Sequence, residues 1–123
     1  MLHDICKVFE LSPFPENDYT DEGQLLGHIY IGAELVSIEA AKIDGFPPKL
    51  ESLLKHCILS HHGELEFGSP KLPKTIEAYI LHAADDADAK INVFESLISS
   101  KVNCGQWAGY NKMLMRNVRT SEY

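Results

Sequence analysis

Apolar side chains recur along this chain at steps of three and four residues, the spacing of one face of an α-helix. Leu25, Ile29, Gly32, Val36, Ala40 and Ile43 form the first such set. Leu50, Leu53, Leu54, Cys57 and Ile58 form the next, opened by Pro47-Pro48. The longest starts near Lys74 and places Ile76, Ile80, Ala83, Ala84, Ala87, Ile91, Phe94 and Ile98 on one stripe. The exposed side of that helix carries Asp86 and Lys90 as a favourable i,i+4 pair. A last helix is predicted from about Gln106 to Arg119. Turn-forming clusters separate the segments at Ser12 to Asp18, Gly45 to Pro48, Gly63 to Pro73, and Asn103-Cys104-Gly105. No segment alternates as a half-buried strand does, so the expected class is all-α. The opening, Met1 to Glu10, reads as the middle of a helix, because no N-cap residue or turn precedes it.

Composition changes this picture little, but it excludes several functions. At 123 residues the chain is expected to form one domain, 1–123. Hydrophobic residues at 45% and charged residues at 24% are globular values and argue against disorder. No apolar run approaches the roughly 18 residues of a membrane span, and the first residues carry no signal-peptide pattern. Eleven basic residues against 18 acidic give a net charge of −7, the wrong sign for gripping nucleic acid by long-range attraction alone. Cys6, Cys57 and Cys104 are odd in number, widely spaced and without a C-x-x-C pair. That usage speaks against a disulfide framework and a thiolate zinc site, and fits a reducing cytoplasm.

The candidate chemistry lies in six histidines and a run of aspartates. His3-Asp4 falls on the first helix, His28 on the second, His61-His62 at the end of the third, and Asp85-Asp86-Ala87-Asp88 midway along the fourth. Imidazole and carboxylate suit first-row divalent metals, and helices can aim such side chains into a bundle core. Any one of these histidines taken alone is better read as a satisfied or solvent-facing side chain. Their order, His-Asp, His, His-His-Gly, then Asp-x-x-Asp-Ala on successive helices, resembles the HD-domain phosphohydrolase superfamily. Gly23 to Ile29, Leu59 to Pro70 with Lys71, Pro73 and Lys74, and Leu81 to Lys90 resemble the YhaM-type 3′–5′ exoribonucleases more narrowly. The similarity runs from Leu2 to about Phe94.

The resemblance implies an HD helical bundle and a metal-dependent phosphodiesterase that shortens single-stranded RNA or oligonucleotides from the 3′ end to 5′-mononucleotides. It implies two divalent cations, with manganese, cobalt, nickel or iron the candidates, and a water activated between them for in-line attack on phosphorus. By the same resemblance, Asp4 bridges the ions, His28, His61 and His62 hold the second, and His3 and Asp85 hold the first. Lys7 follows the dipeptide, where it can neutralise a substrate phosphate; a solvated helix lysine is an equally good account. Two departures stand out. Cys6 occupies a position where the family usually has glycine, and the family has a further histidine ligand on a helix before the dipeptide. The YhaM-type proteins also carry an upstream OB-like RNA-binding domain. The chain is therefore expected to be the C-terminal part of a longer enzyme or a shortened relative, with exposed apolar faces, a tendency to form homo-oligomers, and little activity alone. Two other classes remain open: an HD hydrolase of nucleotides or cyclic dinucleotides, and a non-catalytic metal-binding module.

Weaker candidates complete the reading. Ser69 and Lys71, in Gly68-Ser69-Pro70-Lys71, are assigned to substrate phosphate, although a plain turn needs no function. His56 reads as a surface or groove residue and Cys57 as core. His82 either orients Asp85 or makes a core hydrogen bond. Lys112, Arg116 and Arg119, beside Trp107 and Tyr110, form a basic stripe on the last helix, either RNA-facing or solvated.

Overall fold

The computed structural model of the protein describes residues 2–100 and 106–120. The turn expected at Asn103-Cys104-Gly105, and with it Cys104, lies outside the described residues. The chain divides into two compact units, residues 1–83 and 84–123.

The first unit opens with a 3₁₀ turn, Leu2–Asp4, followed by the one-turn helix α1, Lys7–Glu10. The continuous helix expected over Met1–Glu10 is thus broken at Ile5-Cys6. Cys6 is fully buried and its thiol faces Gly32, so in place of the glycine expected there it fills core volume. Burial pushes that thiol's pKa up, so it stays a neutral core group. After a loop closed by the Leu11–Tyr19 bridge comes α2, Asp21–Leu25. Thr20 caps α2, its hydroxyl accepting from the Gly23 amide at 2.9 Å.

The segment predicted as one helix around His28 is two. Gly27, at φ 72°, ends α2, and α3 runs Gly27–Ala41 with His28 as its second residue. Gly32, Ala33 and Ala40 are buried along α3, and small residues there let α4, Pro48–Ser60, pack closely. A Cβ on Gly32 would lie 3.1 Å from Ile58 Cγ2 on α4. Pro48 takes the first helical position of α4, where its missing N–H is not needed.

Helix α5 spans Ile76–Ser99 and contributes to both units. The Thr75 hydroxyl caps it, accepting from the Ala78 amide at 3.2 Å. The predicted Asp86–Lys90 pair forms at 2.6 Å. The apolar stripe on α5 is helical as expected but not buried. Ile76, Ile80, Ile91 and Ile98 are 76%, 61%, 54% and 48% exposed, because the described residues do not cover that face.

In the second unit the predicted last helix is a β-hairpin. Strand β1, Trp107–Asn111, pairs antiparallel with β2, Arg116–Arg119, with an irregularity between Trp107 and Gly109. Asn111 accepts from the Leu114 amide at 3.0 Å and Met115 turns at φ 52°, which closes the hairpin over buried Leu114 and Val118. Lys112, Arg116 and Arg119 therefore form no helical stripe. Among the described residues, five α-helices and one small hairpin leave the all-α class standing. Among the described residues no helix is long and apolar enough to cross a membrane.

Candidate metal centre

Four elements of the first unit converge on Asp4. Its Oδ1 lies 3.5 Å from Nε2 of both His28 and His61. Its Oδ2 lies 3.5 Å from His3 Nε2 and accepts from Lys7 Nζ at 2.8 Å. The His61 ring centroid is 4.3 Å from that of His62 and 5.0 Å from that of His3. One ligand-type atom from each of His28, His61 and His62 falls within 4.8 Å of the others, and the same holds for His3, Asp4 and His61. The sequence-predicted residues His3, Asp4, Lys7, His28, His61 and His62 are therefore together in space.

The hydrogen bonds behind the rings fix which nitrogen faces inward. His61 Nδ1 lies 2.7 Å from the Ile58 carbonyl, His62 Nδ1 2.9 Å from the Phe67 carbonyl, and His28 Nδ1 3.0 Å from a Glu10 carboxylate oxygen. Carbonyls and carboxylates only accept, so each Nδ1 carries the proton and each Nε2 presents a lone pair. Asp4 Oδ1, His28 Nε2 and His61 Nε2 are buried and lack a hydrogen-bond partner. Buried polar atoms left this way cost about 1–3 kcal/mol each, and a cation among them would satisfy all three. The donor set of neutral imidazoles and one carboxylate fits a divalent transition metal.

Burial pushes the His61 pKa down, helped by its His62 and His3 neighbours and opposed by the Ile58 carbonyl and Asp4, so the ring stays neutral as a ligand must. Burial pushes the Asp4 carboxyl up, but the Lys7 hydrogen bond and charge, with His3 and His61, hold it below its ordinary value.

Asp85 sits half-buried on α5, just past the boundary of the first unit. His82 Nδ1 donates to the His61 carbonyl at 3.0 Å, the core hydrogen bond. His56 Nε2 accepts from the Lys74 amide at 2.9 Å and ties α4 to the segment before α5. Ser69 is buried, its hydroxyl 2.7 Å from the Lys71 carbonyl and 3.2 Å from the Leu59 carbonyl, so it braces its own loop while Lys71 stays exposed. Glu10, not singled out in the sequence, backs His28.

Gly63, directly after the histidine pair, is buried at φ 81°, and a Cβ there would overlap the His82 ring. Gly63→Ala combines a left-handed backbone with overpacking and is expected to destabilise the protein by about 2–5 kcal/mol. Urea unfolding should show a lower midpoint at unchanged slope.

The HD domain family matches the chain over residues 1–90, and the chain belongs to that family, the HD type of phosphohydrolase. It is 45% identical over 111 residues to the 3'-5' exoribonuclease YhaM of Shouchella clausii, covering 88% of this chain and 33% of that protein. Identity to the YhaM of Listeria innocua is 47% over 100 residues (80% and 31%), and to that of Bacillus subtilis 43% over 107 (87% and 33%). The chain thus spans about a third of the length of these relatives. No solved structure matches it.

Proposed function

We propose that the chain carries the catalytic HD module of a cytoplasmic, metal-dependent 3′–5′ exoribonuclease that hydrolyses single-stranded RNA or oligonucleotides to 5′-mononucleotides. The observation that carries this reading is the inward-facing set of His28 Nε2, His61 Nε2 and Asp4 Oδ1, buried without hydrogen-bond partners and backed by hydrogen bonds that hold each ring. The YhaM relatives supply the RNA substrate in their name.

In this reading His28, His61, His62 and Asp4 hold one divalent cation, and His3 and Asp4 contribute to a second. Bound cations would supply Lewis-acid activation of water and neutralise charge on phosphorus-bound oxygens. Manganese, cobalt, nickel and iron suit the donors better than magnesium. The chain's own residues do the rest. Asp4 stays ionised and so remains a ligand across neutral pH. Lys7, half-exposed beside it, offers its ammonium to a phosphate oxygen approaching the cluster. Lys71 adds a second exposed cation on the loop that Ser69 braces. With a net charge of −7 the module needs RNA affinity from a neighbouring domain or another subunit.

The test is a side-by-side assay with manganese on a single-stranded oligoribonucleotide, a mononucleotide and a cyclic dinucleotide. Stepwise shortening from the 3′ end with release of 5′-mononucleotides is expected. Hydrolysis of only the small substrates would replace the RNA reading by the nucleotide-hydrolase one.

A further inference from the structure

Helix α3 begins without a cap of its own. The residue before it, Leu26, has no side-chain oxygen to offer the first amides, and a 15-residue helix leaves those donors and a partial positive charge to be met from elsewhere. One of them, the His28 amide, is met by Glu10, 18 positions upstream in the sequence. Glu10 Oε1 accepts from the backbone amide of His28 at 3.1 Å and from Nδ1 of the same residue at 3.0 Å. One carboxylate oxygen thus grips both the start of the helix and the ring of a candidate ligand.

Glu10 is itself held firmly. Its amide donates to the Cys6 carbonyl at 3.1 Å, and its carbonyl accepts from the Thr20 amide at 2.9 Å. The Thr20 hydroxyl donates to the adjoining Phe9 carbonyl at 2.8 Å. Gly23 lies so close that a Cβ there would overlap the Glu10 carbonyl. The Glu10 side chain is 12% exposed and the His28 side chain 10%.

We infer that Glu10 is a positioning residue that fixes the Nδ1–H tautomer and the ring angle of His28, so that Nε2 presents its lone pair beside Asp4 to a divalent cation. The inference rests on the metal reading of the cluster. An imidazole free in water favours neither the tautomer nor the angle that a cation site needs; a carboxylate on the far nitrogen selects both and makes the ring a stronger donor. Because the same oxygen caps α3, the ring's position is tied to the helix axis and not left to side-chain rotation alone.

Two variants separate this role from a merely structural one. Glu10→Gln keeps an oxygen able to accept both hydrogen bonds but removes the charge. Glu10→Ala removes both. Manganese affinity is measured by calorimetry, and the His28 tautomer in the metal-free protein by nitrogen-15 NMR, with His61→Ala as the reference for loss of a direct ligand. Wild type is expected to show the Nδ1–H form. Glu10→Ala should lose that preference and about 10–100-fold in affinity, and Glu10→Gln should keep the tautomer and lose less than Glu10→Ala. If Glu10→Ala keeps both the tautomer and the affinity while His61→Ala binds weakly, the positioning role is overturned and the metal reading stands. If wild type takes up no manganese, both are overturned.

Discussion

Asp4→Asn is expected to lower kcat/KM on a single-stranded oligoribonucleotide by more than about 10³-fold, with a smaller loss for Lys7→Ala. Asparagine keeps the shape of aspartate and removes its charge. Asp4 reaches His3, His28 and His61 together, so its charge would offset cations held among those rings. Losing one preorganised charge stabiliser costs about 10²–10³ in rate, and a group that also holds the ions in place should cost more. Lys7 contributes one half-exposed ammonium, whose pull on a phosphate is screened by water and salt. Steady-state rates for both variants in the same preparation check the order. Near-wild-type turnover by Asp4→Asn would overturn the centre of the proposed mechanism.

His61→Ala is expected to abolish the thermal stabilisation that manganese gives the wild type. His61 is fully buried and belongs to both groups of candidate ligands. A ligand present at about a hundred times its Kd stabilises the fold that binds it by about 2.7 kcal/mol. For a domain of this size that is a rise in Tm of about 10 °C. Without His61 each group falls to two donors, and affinity should drop by more than the 10–100-fold typical of losing an outer hydrogen-bond partner. The metal-free variant should be less affected. Removing the ring opens a cavity, but it also removes a buried nitrogen that lacks a hydrogen-bond partner, and the two costs oppose each other. Melting curves with and without manganese, read beside elemental analysis, separate the two effects. An unchanged manganese shift in His61→Ala would remove His61 from the ligand set.

His3, Asp4, His28, His61 and His62 were legible because their order along the chain resembles the HD superfamily; taken singly, each histidine reads as an ordinary side chain. The approximate extents of α4 and α5 follow from the helical periods of their apolar residues. Burial did not follow. A stripe such as Ile76, Ile80, Ile91 and Ile98 signals a face that wants cover, not that the described residues supply it. The terminal hairpin was hidden because Lys112, Arg116 and Arg119 mimic helical spacing. Its turn depends on an Asn111 side-chain bond and a positive φ at Met115, which residue type alone does not announce. Glu10 had no local signature at all. An acidic residue ending a one-turn helix is ordinary, and its meaning comes from a partner 18 residues away that only the folded chain brings within 3.1 Å.

His61 has a single lone pair to give. Its Nδ1 proton is committed to the Ile58 carbonyl, so both groups that include it draw on the same Nε2. Two cations cannot share that nitrogen, and filling one coordination sphere depletes the other. In the proposed reading a cation held by His28, His61 and His62 would leave a second one only His3 and Asp4 of the grouped residues, with the rest of its ligands to come from oxygen donors. A phosphate oxygen is one such donor, and in that case occupancy by the second cation depends on how much oligonucleotide is bound. By thermodynamic linkage the cation then tightens the substrate by the factor with which the substrate tightens the cation.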